Sequence, residues 1–118
     1  MSVLLACLLV AIDGDTLRCG RERIRLLGID APELPGHCRS GRRCAKGDPQ
    51  ASKESLAAAI EGKATIERRG RDRYGRTLAR VRVNGVDLSC YQLRAKAAAY
   101  VPKWDTGKVI ARRCALRR

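Results

Sequence analysis

Phenylalanine is absent from this 118-residue chain, and tyrosine and tryptophan bring the aromatic share to only 3%. A sheet that reads RNA by stacking bases needs several exposed rings, so recognition of that kind is excluded. A single histidine, His37, and no Cys-x-x-Cys pair leave a zinc site without ligands or spacing. No apolar run reaches the roughly eighteen residues that a membrane-spanning helix requires. Acidic residues are scarce: twelve Asp and Glu stand against twenty-five Lys and Arg, a formal charge of +13. An excess of that size in a small domain points to a polyanionic partner, with nucleic acid ahead of an anionic membrane surface. The membrane is set aside because a membrane-active chain gathers its basic residues on one amphipathic helix, and here they are spread over turns and strands.

What the chain does have is apolar content of 45%, enough for a core despite 31% charged residues. At this length residues 1–118 read as a single domain, taken as a monomer. Six cysteines, at positions 7, 19, 38, 44, 90 and 114, are many for a reduced compartment. Three disulfides are the reading carried forward. Six cysteines allow fifteen pairings, and the sequence alone does not choose among them. Cys38 with Cys44, which bracket a Gly- and Arg-rich loop, is the easiest local pair, Cys90 with Cys114 would pin the C-terminal tail, and Cys7 with Cys19 would complete that set. Six buried free thiols acting as small apolar residues are the alternative. Disulfides imply a secreted or periplasmic protein, and reduced cysteines a cytoplasmic one. The apolar stretch from Ser2 to Ile12 lacks a basic leader and a small-residue cleavage site and runs straight into Asp13-Gly14-Asp15. It is read as the first strand, with any leader already absent.

Along the chain, Val3 to Ile12 reads as a strand buried on both faces. A turn follows at Asp13-Gly14-Asp15-Thr16, then strands at Leu17 to Cys19 and Arg23 to Ile29. Pro32 closes the third strand, and Leu34 to Gly47 is a long loop tethered by two cysteines. Asp48 and Pro49 start a helix that carries Leu56, Ala59 and Ile60 on one face and stops at Gly62. Ala64 to Glu67 is a short strand, Arg69 to Gly75 a polar turn, and Thr77 to Val83 a half-buried alternating strand. Asp87 caps a helix expected to reach Ala97 to Ala99, and a last helix runs from Lys108 to Arg117. Short strands, tight turns and closing helices predict a small Greek-key barrel of the OB type.

Three segments carry chemistry jointly. In Ile12-Asp13-Gly14-Asp15-Thr16 and Ile24-Arg25-Leu26-Leu27-Gly28-Ile29-Asp30-Ala31-Pro32-Glu33, ionisable residues sit among apolar ones and need partners. Asp30 leaving a strand beside Asp15 would make an oxygen cage for a hard divalent ion. Asp72-Arg73-Tyr74-Gly75-Arg76 presents two Arg and a Tyr from a turn. Phosphodiester hydrolysis needs these parts: carboxylates for a metal, a base for water, and Arg forks for the charge growing on phosphoryl oxygens.

In the order and spacing of these blocks the chain resembles the thermonuclease (staphylococcal nuclease) family over nearly its whole length. The resemblance implies a five-stranded OB-fold Greek-key barrel with about three helices, an α+β fold. It also implies a Ca2+-dependent nuclease acting on DNA and RNA, single-stranded or locally open. By position, Asp15, Asp30 and the backbone carbonyl of Ala31 would hold Ca2+. Glu33 would be the general base, and Arg25 and Arg76 would bind the scissile phosphate. Asp13 and Thr16 would shape the metal loop, Arg73 and Tyr74 would contact a terminal phosphate, and Tyr100 would line the base pocket. Attack is in line, with the 5′ oxygen leaving to give 3′-phosphate products, and activity is expected to rise toward alkaline pH.

The chain departs from the family in three places. Pro102 stands where a second pocket Tyr is usual, Cys38 and Cys44 staple a loop that has no Cys in the best-known member, and the C-terminal helix is short, with Cys114 as its anchor. His37 is read as a solitary loop residue, Trp104 as a cover for the barrel end and Tyr91 as core. The rival function is a catalytically inactive, basic OB-fold module that binds nucleic acid.

Overall fold

The computed structural model describes residues 7–116. Three strands, β1 (Leu9–Asp13), β2 (Thr16–Cys19) and β3 (Glu22–Leu26), form an antiparallel meander. After β4 (Ile29–Asp30) and the loop, helix α1 (Pro49–Ala59) carries the chain across to the hairpin β5 (Ala64–Arg71) and β6 (Thr77–Val83). The crossover lets β6 pair with β3 in parallel, which gives the sheet order β1-β2-β3-β6-β5. This is an α+β fold of the OB type. The short β7 (Val86–Asp87) pairs with β6, helix α2 (Leu88–Arg94) follows, and β8 (Ala99–Tyr100) pairs with β4. Single turns at Pro102–Trp104 and Thr106–Lys108 lead into α3 (Val109–Arg113).

The core collects Leu17, Ile24, Leu26 and Ile29 from the first strands, Val81 from β6, Leu56 from α1 and Leu88 from α2, all at or below 1% exposure. Each such side chain contributes roughly 1.5–3 kcal/mol by leaving water. Helix α1 starts where Asp48 accepts hydrogen bonds from the Gln50 and Ala51 N–H groups, with Pro49 at the first position. It ends at Ala59, one turn before Gly62.

Several expectations are corrected. Of the apolar run from Val3 to Ile12, residues 3–6 lie outside the described residues, and the strand begins at Leu9. It is an edge strand rather than one buried on both faces, since Val10 is 39% exposed and Leu8, just before it, is 84% exposed. The single strand expected from Arg23 to Ile29 breaks at Leu27 and Gly28. Gly28 has φ +85°, and a side chain there would meet Ile110 Cγ1 at 3.0 Å. Its carbonyl accepts from the Val101 N–H at 2.9 Å, so the chain turns out of the large sheet and into the β4–β8 pair. β5 runs on to Arg71, shortening the turn expected at Arg69–Gly75. The expected alternation of β6 is broken at Arg80, which is buried and paired with Glu67 at 3.0 Å, and whose Nε has no hydrogen-bond partner among the described residues. Helix α2 stops at Arg94 because Lys96 takes a left-handed conformation (φ +59°), which frees Ala99–Tyr100 to pair with β4. The last helix spans Val109–Arg113, shorter than Lys108 to Arg117, and Arg117 lies outside the described residues.

The six cysteines pair as Cys7–Cys19, Cys38–Cys44 and Cys90–Cys114. The last joins α2 to the chain just after α3 and builds a small apolar cluster with Ile110. A closed loop of that length restricts the unfolded chain by about 3 kcal/mol. Gln92, fully buried, donates to the Gly14 carbonyl at 2.7 Å and the Ser52 carbonyl at 3.0 Å and accepts from Ser55 Oγ at 2.6 Å. One amide thus ties α1, α2 and the Asp13–Thr16 turn together. Among the described residues, no helix is long and apolar enough to cross a membrane.

Candidate functional site

The break at Gly28 sends Asp30 and Glu33 out of the sheet on the side where the β1–β2 turn presents Asp15. Asp15 is 3% exposed; its Oδ1 accepts from Thr16 Oγ1 at 3.0 Å and its Oδ2 from the Ala31 N–H at 2.8 Å. Burial pushes the Asp15 carboxyl above its ordinary range, against the pull of Arg25 and of the Ala31 and Thr16 donors. Arg25, nearly buried on β3, stands between the acids. Its Nη1 lies 3.1 Å from Asp15 and donates to the Ile29 carbonyl at 2.9 Å, and its Nη2 reaches Asp30 at 3.4 Å.

Arg25 also forms part of the wall of a cavity of about 730 Å3. Arg76, Arg73 and Tyr74 enter that cavity from the β5–β6 hairpin, Arg42 from the long loop, and Trp104 from the turn after β8. The Trp104 ring lies under the Arg25 guanidinium, 5.0 Å from centroid to Cζ. Trp104 therefore belongs to the site rather than covering a barrel end.

The hairpin holds Arg76 by local chemistry. Asp72 Oδ1 accepts from the Tyr74 and Arg76 N–H groups, both at 2.9 Å, and its Oδ2 accepts from Arg76 Nε at 2.7 Å. Burial would raise the Asp72 carboxyl, but the Arg76 N–H and guanidinium and the Tyr74 N–H outweigh it and hold it below its ordinary value. Arg39 stacks over the Tyr74 ring at 3.4 Å, and Arg23 holds the Tyr74 carbonyl.

The loop from Leu34 to Gly47 is fastened at its start and again at Arg42. Asp13, buried, accepts from the Leu34 N–H at 3.2 Å and lies 2.9 Å from His37 Nδ1, so His37 is a partner of the metal loop and not a solitary residue. The Cys38–Cys44 disulfide then folds Arg42 back onto the acids: it contacts Glu33 and reaches Asp30 at 3.3 Å. Nothing in the sequence separates Arg42 from its neighbours Arg39 and Arg43. Asp72, by contrast, was visible as an acid four residues before Arg76.

Of the residues expected at the site, Arg25, Arg73, Tyr74 and Arg76 line one cavity, and Asp15, Asp30 and Glu33 are tied to it through two of its arginines, Arg25 and Arg42. Tyr100 does not join them. Its hydroxyl donates to Asp105 at 2.7 Å, and the same carboxylate caps α3 through the Ile110 and Ala111 N–H groups. Tyr91 is half-buried and outside the core cluster.

The donor set fits a hard divalent ion, because Asp15, Asp30, Glu33 and the nearby carbonyls are all oxygen. The deeply buried Asp15 already has the Arg25 guanidinium at 3.1 Å, so an ion there would share the carboxylate with it. Among the described residues, the only three His, Cys, Asp or Glu donor atoms within 4.8 Å of one another are those of Glu33, Cys38 and Cys44, and the two sulfurs are spent in the disulfide. An ion would bind on the Asp15–Asp30 side, where Arg42 already uses Asp30. No curated protein matches the chain. A family model described as staphylococcal nuclease homologue matches residues 23–109, from β3 to the first residue of α3.

Proposed function

The chain belongs to the staphylococcal nuclease homologue family, and on that premise we propose that it is a Ca2+-dependent endonuclease that hydrolyses DNA and RNA to 3′-phosphate products. A nuclease-like or nucleic-acid-binding OB-fold function follows from the family itself. The observation that carries the hydrolytic reading is the position of Arg25, whose guanidinium touches Asp15 and Asp30 on one side and lines the arginine-rich cavity on the other.

In this reading the cavity receives the strand, and Arg25 and Arg76 hold the non-bridging oxygens of one phosphate with planar forks that stay charged at any working pH. Arg73, Tyr74 and Trp104 hold the neighbouring nucleotide. Asp15, Asp30 and the Ala31 carbonyl bind Ca2+, whose charge, when bound, polarises the phosphoryl group. Glu33 accepts a proton from water as the water oxygen attacks phosphorus. The bond to the 5′ oxygen breaks in line, and that oxygen takes a proton from solvent. Asp13 and Thr16 keep the Asp15 loop in shape. Activity rises from neutral to alkaline pH as water gives up its proton more readily. The substrate is single-stranded or locally open, the enzyme acts as a monomer, and circular DNA is cut because the site reads one phosphodiester and needs no end. Three disulfides support a secreted or periplasmic location.

One observation favours the binding-only reading: Arg42 already engages Glu33, the residue assigned as base. Glu33→Gln assayed on denatured DNA with Ca2+, and the wild type with chelator, decide between the two. A nuclease of this design loses most cleavage under either change and keeps its affinity. Cleavage unaffected by both changes would sink the assignment, and no cleavage by the wild type with Ca2+ would leave the binding module.

A further inference from the structure

A second cavity, of about 680 Å3, opens on the far side of Asp30. Its walls are the end of the stapled loop, the start of α1 and the segment that leaves α2, and three basic side chains border it: Arg43, Lys46 and Lys96. All three are exposed, and none has an ion-pair partner among the described residues. Elsewhere the fold pairs several of its arginines: Arg68 with Glu22, Arg76 with Asp72, Arg80 with Glu67, and Arg113 with Glu67 and Asp87. The two acids that border the second cavity are both committed. Asp30 is shared between Arg25 and Arg42, and Asp48 spends Oδ1 on the Gln50 and Ala51 N–H groups at 3.0 and 3.1 Å. Three cations against the one carboxylate of Asp48 leave the cavity edged by an excess of positive charge, and small side chains floor it, which leaves room for a sugar-phosphate chain.

The two cavities adjoin at Asp30, which lines the second and is touched by Arg25 and Arg42, both of which line the first. We propose that the second cavity is a subsite for a single-stranded polynucleotide, seating the phosphates that continue the strand past the reacting one. The inference rests on the nuclease reading for which phosphate is central, and on the cavity alone for where the rest of the strand lies. Arg43, Lys46 and Lys96 each contact a phosphate without regard to base, so the subsite adds affinity for long strands and leaves short ones unaffected.

The test is fluorescence anisotropy of labelled single strands of about three and about twelve nucleotides, as DNA and as RNA, in chelator so that nothing is cut. Arg43→Gln/Lys46→Gln/Lys96→Gln is compared with Arg18→Gln/Lys63→Gln/Arg82→Gln, which removes the same charge from exposed positions that line neither cavity. Melting curves verify that both fold. Three lost phosphate contacts lower the slope of log Kd against log salt by about 2 for the long strand. The expected result is that loss in the first variant alone, with the short strand unchanged. Equal loss in both variants, or an unchanged long-strand slope in the first, overturns the subsite while the nuclease reading stands. Failure of the wild type to bind either length overturns both. Loss with only one of DNA and RNA upholds the subsite and assigns its strand.

Discussion

The β5–β6 hairpin and the stapled loop before α1 each bring an arginine to the same cavity, and they hold it in opposite ways. Arg76 is fixed by Asp72, a residue of its own turn that otherwise holds only the Tyr74 N–H and takes no part in the assigned chemistry. Arg42 is fixed by Asp30 and Glu33, the groups the chemistry needs. A cation with a partner of its own is oriented before substrate arrives and can meet a phosphate without disturbing anything else. One that leans on the acids must give them up before they can act. The hairpin is therefore preorganised, whereas the loop competes with the ion and the base.

The largest test of that contrast is Arg76→Ala. Removing a preoriented donor to the transition state costs about 10^2 to 10^3 in kcat/KM, whereas Arg42→Ala leaves kcat/KM equal or higher. Equal losses in the two variants would erase the distinction. Asp72→Asn is the milder version: the Arg76 charge stays but its orienting carboxylate goes, and kcat falls about tenfold, a value set by misplacement rather than lost charge. An unchanged kcat would mean that the hairpin needs no such partner.

A smaller effect isolates the loop. With Arg42 gone, Asp30 is released to a divalent ion, and Ca2+ affinity measured by titration calorimetry without substrate rises about fivefold. That corresponds to ~1 kcal/mol for a partly exposed ion pair. Lower affinity in Arg42→Ala would show the arginine to be a support of the ion site instead of its competitor.

The hairpin's chemistry was readable in the chain because it is local. Asp72 and Arg76 are four residues apart, the strand from Thr77 to Val83 alternates, and the Asp13–Thr16 turn and the Asp48–Pro49 helix start announce themselves by residue type. The loop's chemistry was not, because long-range packing decides it. The kink at Gly28 is held by the Val101 N–H, with Ile110 leaving little room for a side chain there, and the end of α2 is set by the pairing of Ala99–Tyr100 with β4. The choice of Arg42 over Arg39 and Arg43 comes from how the disulfide and the Asp13 clamp fold the loop. Trp104 and Gln92 escaped for the same reason: each matters through partners remote in sequence, and its own neighbours carry no sign of it.

The smallest expected effect separates the two regions by pH. Both regions lean on carboxylates, but the loop also closes on itself through a disulfide, which does not titrate, and the hairpin has no such tie among the described residues. Glu22 on β3 accepts two hydrogen bonds from Arg68 on β5 and one from Thr77 on β6. Chiefly through Arg68, and against the cost of burial, its carboxyl is lowered to about 2 from 4.5. A carboxyl lowered by folding contributes stability that is fully present above its unfolded value and is lost as pH falls through its folded one. The window for Glu22 is thus from about pH 4.5 down to about pH 2, and Asp72, also below its ordinary 3.8, adds to the lower part of it. Because Glu22 is partly open to solvent, screening limits its share to about 1 kcal/mol or less. In Glu22→Gln the stability lost between those pH values shrinks by that amount, while stability at neutral pH drops to match. Denaturant unfolding of both proteins at neutral pH and at a pH near 3 measures the difference. Parallel losses on acidification would mean that the hairpin's hold on β3 does not depend on this charge, and the contrast with the stapled loop would then reduce to orientation alone.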